Sequence, residues 1–436
     1  QGTFEHEKKN WAAFPFDARK LDAVVLTHAH LDHSGRLPML VKEGFRGFIY
    51  THRATAALCR VMLQDAAYLN AKETERFNRY RARNGQDLIE PLYDQDDVYT
   101  TERHFQPLDY GESTEIVPGA TLTLHDAGHI LGSAIVELEL SEDGVTRRVV
   151  LSGDLGHAGA PILNDPTALT EADLVVMEST YGDRCHRSWE ATWAELGDII
   201  RSAHAGKGNI LVPAFAVGRA QELLYALARH YDEWEVRDWH VFLDSPMAIE
   251  TTELYRRFHG LYDRAARAAM KSNNGDPFSM RNLRLTKTAE ESMHINDIRA
   301  GAIVIAGSGM CTGGRIVHHL KRNLAHEHCH VIIAGFQARG TLGRTLVDGA
   351  KTVHLFGEDI PVRAQIHTVG GLSAHADQAG LAAWYGNFKK RPPLALVHGE
   401  PEAMDALATH LREKFQATVR CPEPGQRLSL AGLDSA

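Results

Sequence analysis

The sequence predicts an α/β protein in which one domain is interrupted by a second, inserted α/β domain, and three features predict it. At 436 residues the chain is longer than one hydrophobic core usually supports. Four short apolar runs each lead at once into a polar turn carrying His or Asp, as buried strands with functional loops at their ends do. Between them, from about Trp189 to Val353, the pattern changes to apolar strands alternating with helical stretches, the signature of βαβ units and a parallel sheet.

The four strand-and-turn runs are Leu21–Thr27 before His28, Thr121–Leu124 before His125–His129, Arg148–Leu151 before Ser152–Asp154, and Leu394–Val397 before His398. Residues 55–80 are charged and helix-favouring with apolar residues at helical spacing, which predicts a long surface helix. In the central region the expected strands are Asn209–Val212, Val241–Leu243, Ala302–Ala306 and His330–Ala334. The expected helices include Arg219–His230 and Ile316–Leu324, and Lys271–Pro277 (KSNNGDP) is turn-rich. After about residue 360 the strand-then-histidine pattern returns, so one domain resumes after the insertion.

Composition narrows the class. A hydrophobic fraction of 44% with 24% charged residues is that of an ordinary globular protein. No apolar run approaches the ~20 residues that cross a bilayer, so no membrane role is expected. Gln1–Trp11 is polar, unlike a signal peptide, and the absence of an initiator Met predicts further sequence upstream. Five scattered cysteines without a CxxC pair (Cys59, Cys185, Cys311, Cys329, Cys421) argue against a disulfide framework or thiolate zinc site and favour a reducing cytoplasm. The net charge of −9 means that any nucleic acid must be met by a local basic surface.

The densest chemical signal is THAHLDHSG at 27–35, with His28, His30, Asp32 and His33 within six residues at a strand end. Imidazole and carboxylate suit zinc, and so many donors crowded together need a cation between them. The plain alternative is a polar turn that happens to be rich in histidine, a rare coincidence at this density. One zinc needs three or four protein ligands, and His129, Asp154 and His398 at the other strand ends supply them. Taken singly, these three read as a core histidine, a turn cap and a surface residue. Beside the histidine run, three equivalent strand ends point to metal.

Together with MESTYGDR (177–184), PAFAVGRAQELL (213–224), LDSPMA (243–248), GSGMCTGGR (307–315), GFQARGTLGR (335–344) and GGLSAHADQ (370–378), this chain resembles the β-CASP nucleases of the metallo-β-lactamase superfamily over essentially its whole length. The resemblance implies a four-layer αββα lactamase domain in two parts, 1–188 and 359–436, around a β-CASP domain at 189–358. It places one Zn²⁺ on His28, His30 and His129 and a second on Asp32, His33 and His398, with Asp154 bridging, so that a shared hydroxide attacks an RNA phosphodiester. Asp32 then counts among the catalytic residues as well as the ligands. His375 matches the family's general acid, and Glu178 matches a carboxylate that orients it or a metal-bound water. The resemblance also implies two or three further strands and an Asp-containing motif, expected just before Gln1.

Contacts to substrate are expected from Ser373 and from Ser308 in the glycine-rich turn after Ala302–Ala306, whose amides suit a phosphate. Arg315 and Arg339 are expected contacts too, because residues 301–350 hold five Lys/Arg (Arg315, Lys321, Arg322, Arg339, Arg344) against Glu327 and Asp348. Each also reads as a turn residue or part of a solvated face, as does HEHCH (326–330). RNA-processing members of the family carry histidine at the position of His398, so the partner expected is single-stranded RNA, read under the roof of the inserted domain. A homodimer is left open. Endoribonuclease action is the first expectation, with 5′-to-3′ exonuclease action beside it. The rivals are a small-molecule metallohydrolase, which needs neither insertion nor acid, and a silent RNA-binding subunit, which would usually have lost ligands.

Overall fold

A computed structural model describes residues 10–430; Gln1–Lys9, the greater part of the polar N-terminal segment, lie outside the described residues. The chain divides into two compact units, one of residues 159–164 and 186–374, the other containing the rest of the described chain. No helix among the described residues is long and apolar enough to cross a membrane.

The second unit begins with β1 (Ala23–Val25), the short helix α1 (Leu31–Ser34), β2 (Phe48–His52), the long helix α2 (Arg53–Arg83) and β3 (Phe105–Leu108). The three strands form a parallel sheet in the order β1-β2-β3. His52 caps α2 by accepting the amide of Ala54, and the helix buries Leu58, Cys59, Met62, Leu63 and Ala67. Then follow β4 (Ser113–Val117), β5 (Ala120–Asp126), β6 (Ala134–Glu142), β7 (Val145–Leu151) and β8 (Leu174–Glu178). Strands β6 and β7 are joined by Asp143 and Gly144, both at positive φ, the two-residue Asp-Gly turn whose twist matches that of a hairpin.

The inserted unit holds α3 (Trp189–Ala205), β9 (Ile210–Pro213), α4 (Arg219–Arg229), β10 (His240–Asp244), β11 (Leu283–Leu285), β12 (Ala302–Ala306), α5 (Arg315–Asn323), β13 (His330–Ile333), the hairpin β14 (Thr352–Leu355) and β15 (Glu358–Pro361), and β16 (Gln365–Thr368). Its six-stranded sheet, β11-β10-β12-β9-β13-β16, is parallel throughout. Strands β9, β12 and β13 are buried along their whole length, which explains their unbroken apolar runs. Residues 359–374 pack with this unit, because β16 completes its sheet beside β13.

The chain then returns with α6 (Gln378–Tyr385), β17 (Leu394–Val397), α7 (Pro401–Phe415) and β18 (Val419–Arg420), completing a seven-stranded sheet in the order β18-β17-β8-β7-β6-β5-β4. One face of this sheet meets the three-stranded sheet through Tyr50, Leu108, Leu122, Leu124 and Val136. Its other face packs Ile135, Val150, Val175 and Met177 against Leu381 and Tyr385 of α6 and Leu407 and Leu411 of α7. With α2 outside the smaller sheet, the layers run helix, sheet, sheet, helix: the four-layer αββα arrangement, with a second α/β domain inserted.

The register positions the chemistry. Strands β7, β8 and β17 are parallel, and β5 runs the same way through the antiparallel β6 between them. Their carboxyl ends therefore lie along one edge, where ligand sites of α/β sheets form. Val397 pairs with Glu178 and Leu151 with Val176, so His398, Glu178 and Asp154 emerge side by side.

Candidate metal centre

The segment after strand β1 delivers the first group of candidate donors. His28 follows the strand, its Nδ1 hydrogen-bonded to the Thr27 hydroxyl at 3.1 Å, which turns Nε2 inward. Nε2 of His28 lies 3.1 Å from Nδ1 of His30, and Nε2 of His129 approaches the same atom at 3.1 Å. His129 is held by the turn after β5, where the Ser133 hydroxyl accepts the backbone amides of His129 and Ile130. The carboxylate of Asp154, 2% exposed, stands 3.4 Å from Nε2 of His28 and 3.7 Å from that of His129.

A second group lies beside it. His33 and Asp32, on α1, approach at 3.7 Å, and Asp32 Oδ2 is 3.6 Å from Nε2 of His398. Asp154 touches this group too, with Oδ2 3.4 Å from His33 and Oδ1 3.6 Å from Nδ1 of His398. His398 leaves β17 at a φ of +54°, a conformation that costs a non-glycine residue energy and recurs at functional sites. The Thr180 hydroxyl sits 3.1 Å from its Nδ1.

The donors of His28, His30, His129 and Asp154, and those of Asp32, His33 and His398, fall into two sets whose atoms lie within 4.8 Å of one another. Donors 2.0–2.2 Å from one tetrahedral zinc are about 3.3–3.6 Å apart, so the spacing fits. Two buried polar atoms in the cluster, Nε2 of His33 and Oδ1 of Asp154, have no hydrogen-bond partner among the described residues, as expected of atoms that face a cation. Burial, reinforced by neighbouring imidazoles, holds His28 well below the usual histidine range, and burial brings His30 down to about 4. Both are therefore neutral at ordinary pH, with lone pairs available to a metal. The Asp32 contact, joined by Asp154 and Glu178, instead raises His398 to about 9, a proton that a metal would displace. Burial works against ionisation of Asp32, but His398 and His33 outweigh it and hold the carboxyl below its usual range.

Glu178 and His375 form the third part. Nδ1 of His375 lies 3.1 and 3.2 Å from the two carboxylate oxygens of Glu178, itself 1% exposed. The Leu155 amide donates to Glu178 at 2.6 Å, and the Glu178 amide donates to the Ser152 hydroxyl. His375 is tied to the loop after β7 by a bridge to Gly156 and by the bond from the Ala376 amide to the Leu155 carbonyl. Burial lowers the pKa of His375, but Glu178 and then Asp154 outweigh it, so the imidazole titrates above its ordinary value. Its ring centroid lies 4.5 Å from that of His129.

The loops close tightly around these groups. A Cβ on Gly156 would stand 2.0 Å from the Gly128 carbonyl oxygen, so only glycine lets the Asp154 loop approach the His129 turn. Gly156→Ala is expected to destabilise the fold by about 1–3 kcal/mol, the usual scale of overpacking, read as a shifted denaturant midpoint.

The residues expected to touch substrate, Ser373, Ser308, Arg315 and Arg339, all belong to the inserted unit. Ser373 is 7% exposed. Ser308 is engaged within its turn, its hydroxyl accepting the Thr312 amide at 3.0 Å, and Arg339 is exposed. Arg315 is directed inward: it donates to Asp244 Oδ1 at 2.7 Å and to the carbonyls of Thr286 and Lys287. Lys321 pairs with Glu358, and Glu358 and Asp244 both lie outside 301–350, so part of the basic excess read there is neutralised; Arg344 pairs with Asp348, already counted in that stretch.

Asp244 is fully buried and also accepts from Thr286, Ser292 and His319. Desolvation raises its pKa, but these donors, His319 first, outweigh it and hold the carboxyl at about 2. A depressed folded pKa stabilises the fold above the ordinary carboxylate value, and that stability is lost as pH falls towards 2. The expected loss is about 2 kcal/mol, seen as acid unfolding of wild type that Asp244→Asn lacks. That variant is itself expected to be less stable at neutral pH by about 3–5 kcal/mol.

Sequence reasoning missed the supporting hydroxyls of Thr27, Ser133, Ser152 and Thr180. Their one signal is adjacency to the motif residues, as in LSGD and HILGS.

Residues 2–204 match the metallo-beta-lactamase superfamily, 220–346 the Beta-Casp domain, and 359–422 the Zn-dependent metallo-hydrolase RNA specificity domain. Ribonuclease TTHA0252 of Thermus thermophilus is 38% identical over 413 residues, covering 94% of this chain and 89% of the relative. This chain belongs to the β-CASP family of metallo-β-lactamase-fold hydrolases. The transcription termination factors FttA of Pyrococcus abyssi and Thermococcus kodakarensis are 34% and 32% identical, each over 94% of this chain. The chain spans 64% and 62% of the length of those two relatives.

Proposed function

We propose that this chain is a zinc-dependent endoribonuclease that hydrolyses phosphodiester bonds of single-stranded RNA, with 5′-to-3′ exonuclease action as a second mode of the same site. The observation that carries the reading is His375, held through Nδ1 by both oxygens of Glu178 and set against the ligand cluster. A small-molecule hydrolase needs no such acid. The ribonuclease named among the relatives, and the RNA-specificity description of the family matched over 359–422, support the choice of RNA.

Two zinc ions are proposed, one on His28, His30 and His129 and the other on Asp32, His33 and His398, with Asp154 within reach of both sets. Zinc supplies Lewis acidity towards the phosphoryl oxygens and water acidified to near neutrality. The chain's own residues do the rest. Thr27 and Thr180 orient His28 and His398. Glu178 accepts a hydrogen bond from Nδ1–H of His375 and so favours the imidazolium, whose Nε2–H delivers its proton to the departing 3′ oxygen and leaves a neutral imidazole that keeps Nδ1–H. The Leu155 amide keeps Glu178 in place for that task. The 5′ phosphate then stays on the downstream product.

Labelled RNA, DNA and nitrocefin offered side by side to the zinc-loaded chain test the reading. RNA is expected to be cut to products with 5′ phosphates. Hydrolysis of nitrocefin with intact RNA would replace it with a small-molecule activity.

A further inference from the structure

We propose that the outward face of the distal half of α2 is a docking stripe for the phosphate backbone of single-stranded RNA. It rests on the ribonuclease reading for the identity of the polyanion. Lys72, Arg76, Arg79 and Arg83 recur at spacings of four, three and four residues, which places them in one line along an α-helix. All four are exposed, and the residues that α2 buries, among them Leu63, Ala67 and Thr74, lie on the opposite face. Over residues 68–83 there are five Lys/Arg (Arg81 is the fifth) against Glu73 and Glu75, in a protein whose net charge is −9. Among the described residues only Arg79 of the four forms an ion pair, with Glu75 at 3.1 Å and both side chains more than 60% exposed. Such a pair is weak.

Two features of the helix favour a polyanion over a face that is merely solvated. Like charges three and four residues apart destabilise a helix, and a solubilising face avoids this by alternating sign; a phosphate backbone relieves it. Aromatic rings are interleaved with the cations. Tyr68 and Tyr80, 51% and 62% exposed, stand four residues from Lys72 and Arg76 on the same side of the helix, with Lys72 Nζ 4.7 Å from the centre of the Tyr68 ring. Cationic grooves lined with rings on which bases stack are how proteins hold single strands without reading sequence.

The helix links this stripe to the metal centre. Near its first turn the Thr55 hydroxyl donates to the Gly132 carbonyl at 2.6 Å, three residues past His129. At 1.5 Å per residue, the stripe begins roughly 25 Å further along the axis. A long RNA engages both places and a short oligoribonucleotide only the centre.

The test is a zinc-loaded chain carrying Lys72→Ala, Arg76→Ala, Arg79→Ala and Arg83→Ala together, alanine being the strongest helix former. For a long single-stranded RNA, KM is expected to rise about tenfold or more at low salt with kcat unchanged. The slope of log affinity against log salt should become shallower by up to about 3, from four phosphate contacts at about 0.7 each. The short oligoribonucleotide should be cut as before. In the opposite direction, Glu73→Gln with Glu75→Gln should tighten binding of the long RNA. Unchanged affinity and salt slope in both variants overturns the stripe. So does an equal loss for the short RNA, or loss of binding to anionic phosphatidylserine vesicles in place of RNA. A wild-type chain that binds long RNA through these residues yet cuts none supports the stripe and refutes the ribonuclease reading alone.

Discussion

His375→Ala is expected to keep its metal and to cleave RNA about 10²–10⁴-fold more slowly, the usual scale for a lost general acid. The separation of the two effects follows from position. His375 stands 3.1 Å from Glu178 but 4.0 Å from Asp154, and it belongs to neither set of converging donors. Its ring is anchored by Glu178, so Glu178→Gln is expected to slow cleavage as well, with zinc retained, by loosening the imidazole and its tautomer. Steady-state rates on a defined RNA, with zinc content measured on the same preparations, check both. Full activity in His375→Ala would remove this residue from the chemistry.

Asp154→Ala is expected to lose zinc and activity together. This carboxylate, 2% exposed, lies within 3.7 Å of His28, His33, His129 and His398, so its charge faces both sets of donors. Removing it leaves four imidazoles facing one another around a cavity with less negative charge to hold a cation. The loss of metal affinity should exceed the 10–100-fold typical of deleting a group that only supports a ligand. Zinc measured after dialysis of the folded variant decides the matter, and a variant that retains two ions would deny Asp154 a bridging place.

The local part of this site was legible in the sequence because its residues are close in the chain. His28, His30, Asp32 and His33 announce themselves by spacing alone. His129, Asp154 and His398 were readable only through their shared position after apolar runs, and the register of β5, β7, β8 and β17 is the physical reason that this position matters. The hydroxyls of Thr27 and Thr180 were signalled by nothing but adjacency to the motif residues, a weak cue because serine and threonine are common in every turn. Arg315 shows the converse limit. Its charge was legible, but its partner Asp244 lies on a strand 71 residues earlier, and the two meet because β10 pairs with β12, the strand from which the chain runs into α5. Strand β16 was hidden for a similar reason: QIHT is short and half-exposed, and its place is fixed by pairing with β13 rather than by its own pattern.

The most direct measurement is the zinc content of the folded wild-type chain after reconstitution and exhaustive dialysis, followed by its RNA cleavage before and after chelation. About two ions per chain, with cleavage abolished by chelator and restored by zinc, is the expected result. A folded chain that retains no zinc, or one that cuts RNA equally well without it, would contradict a metal centre built from these histidines and aspartates.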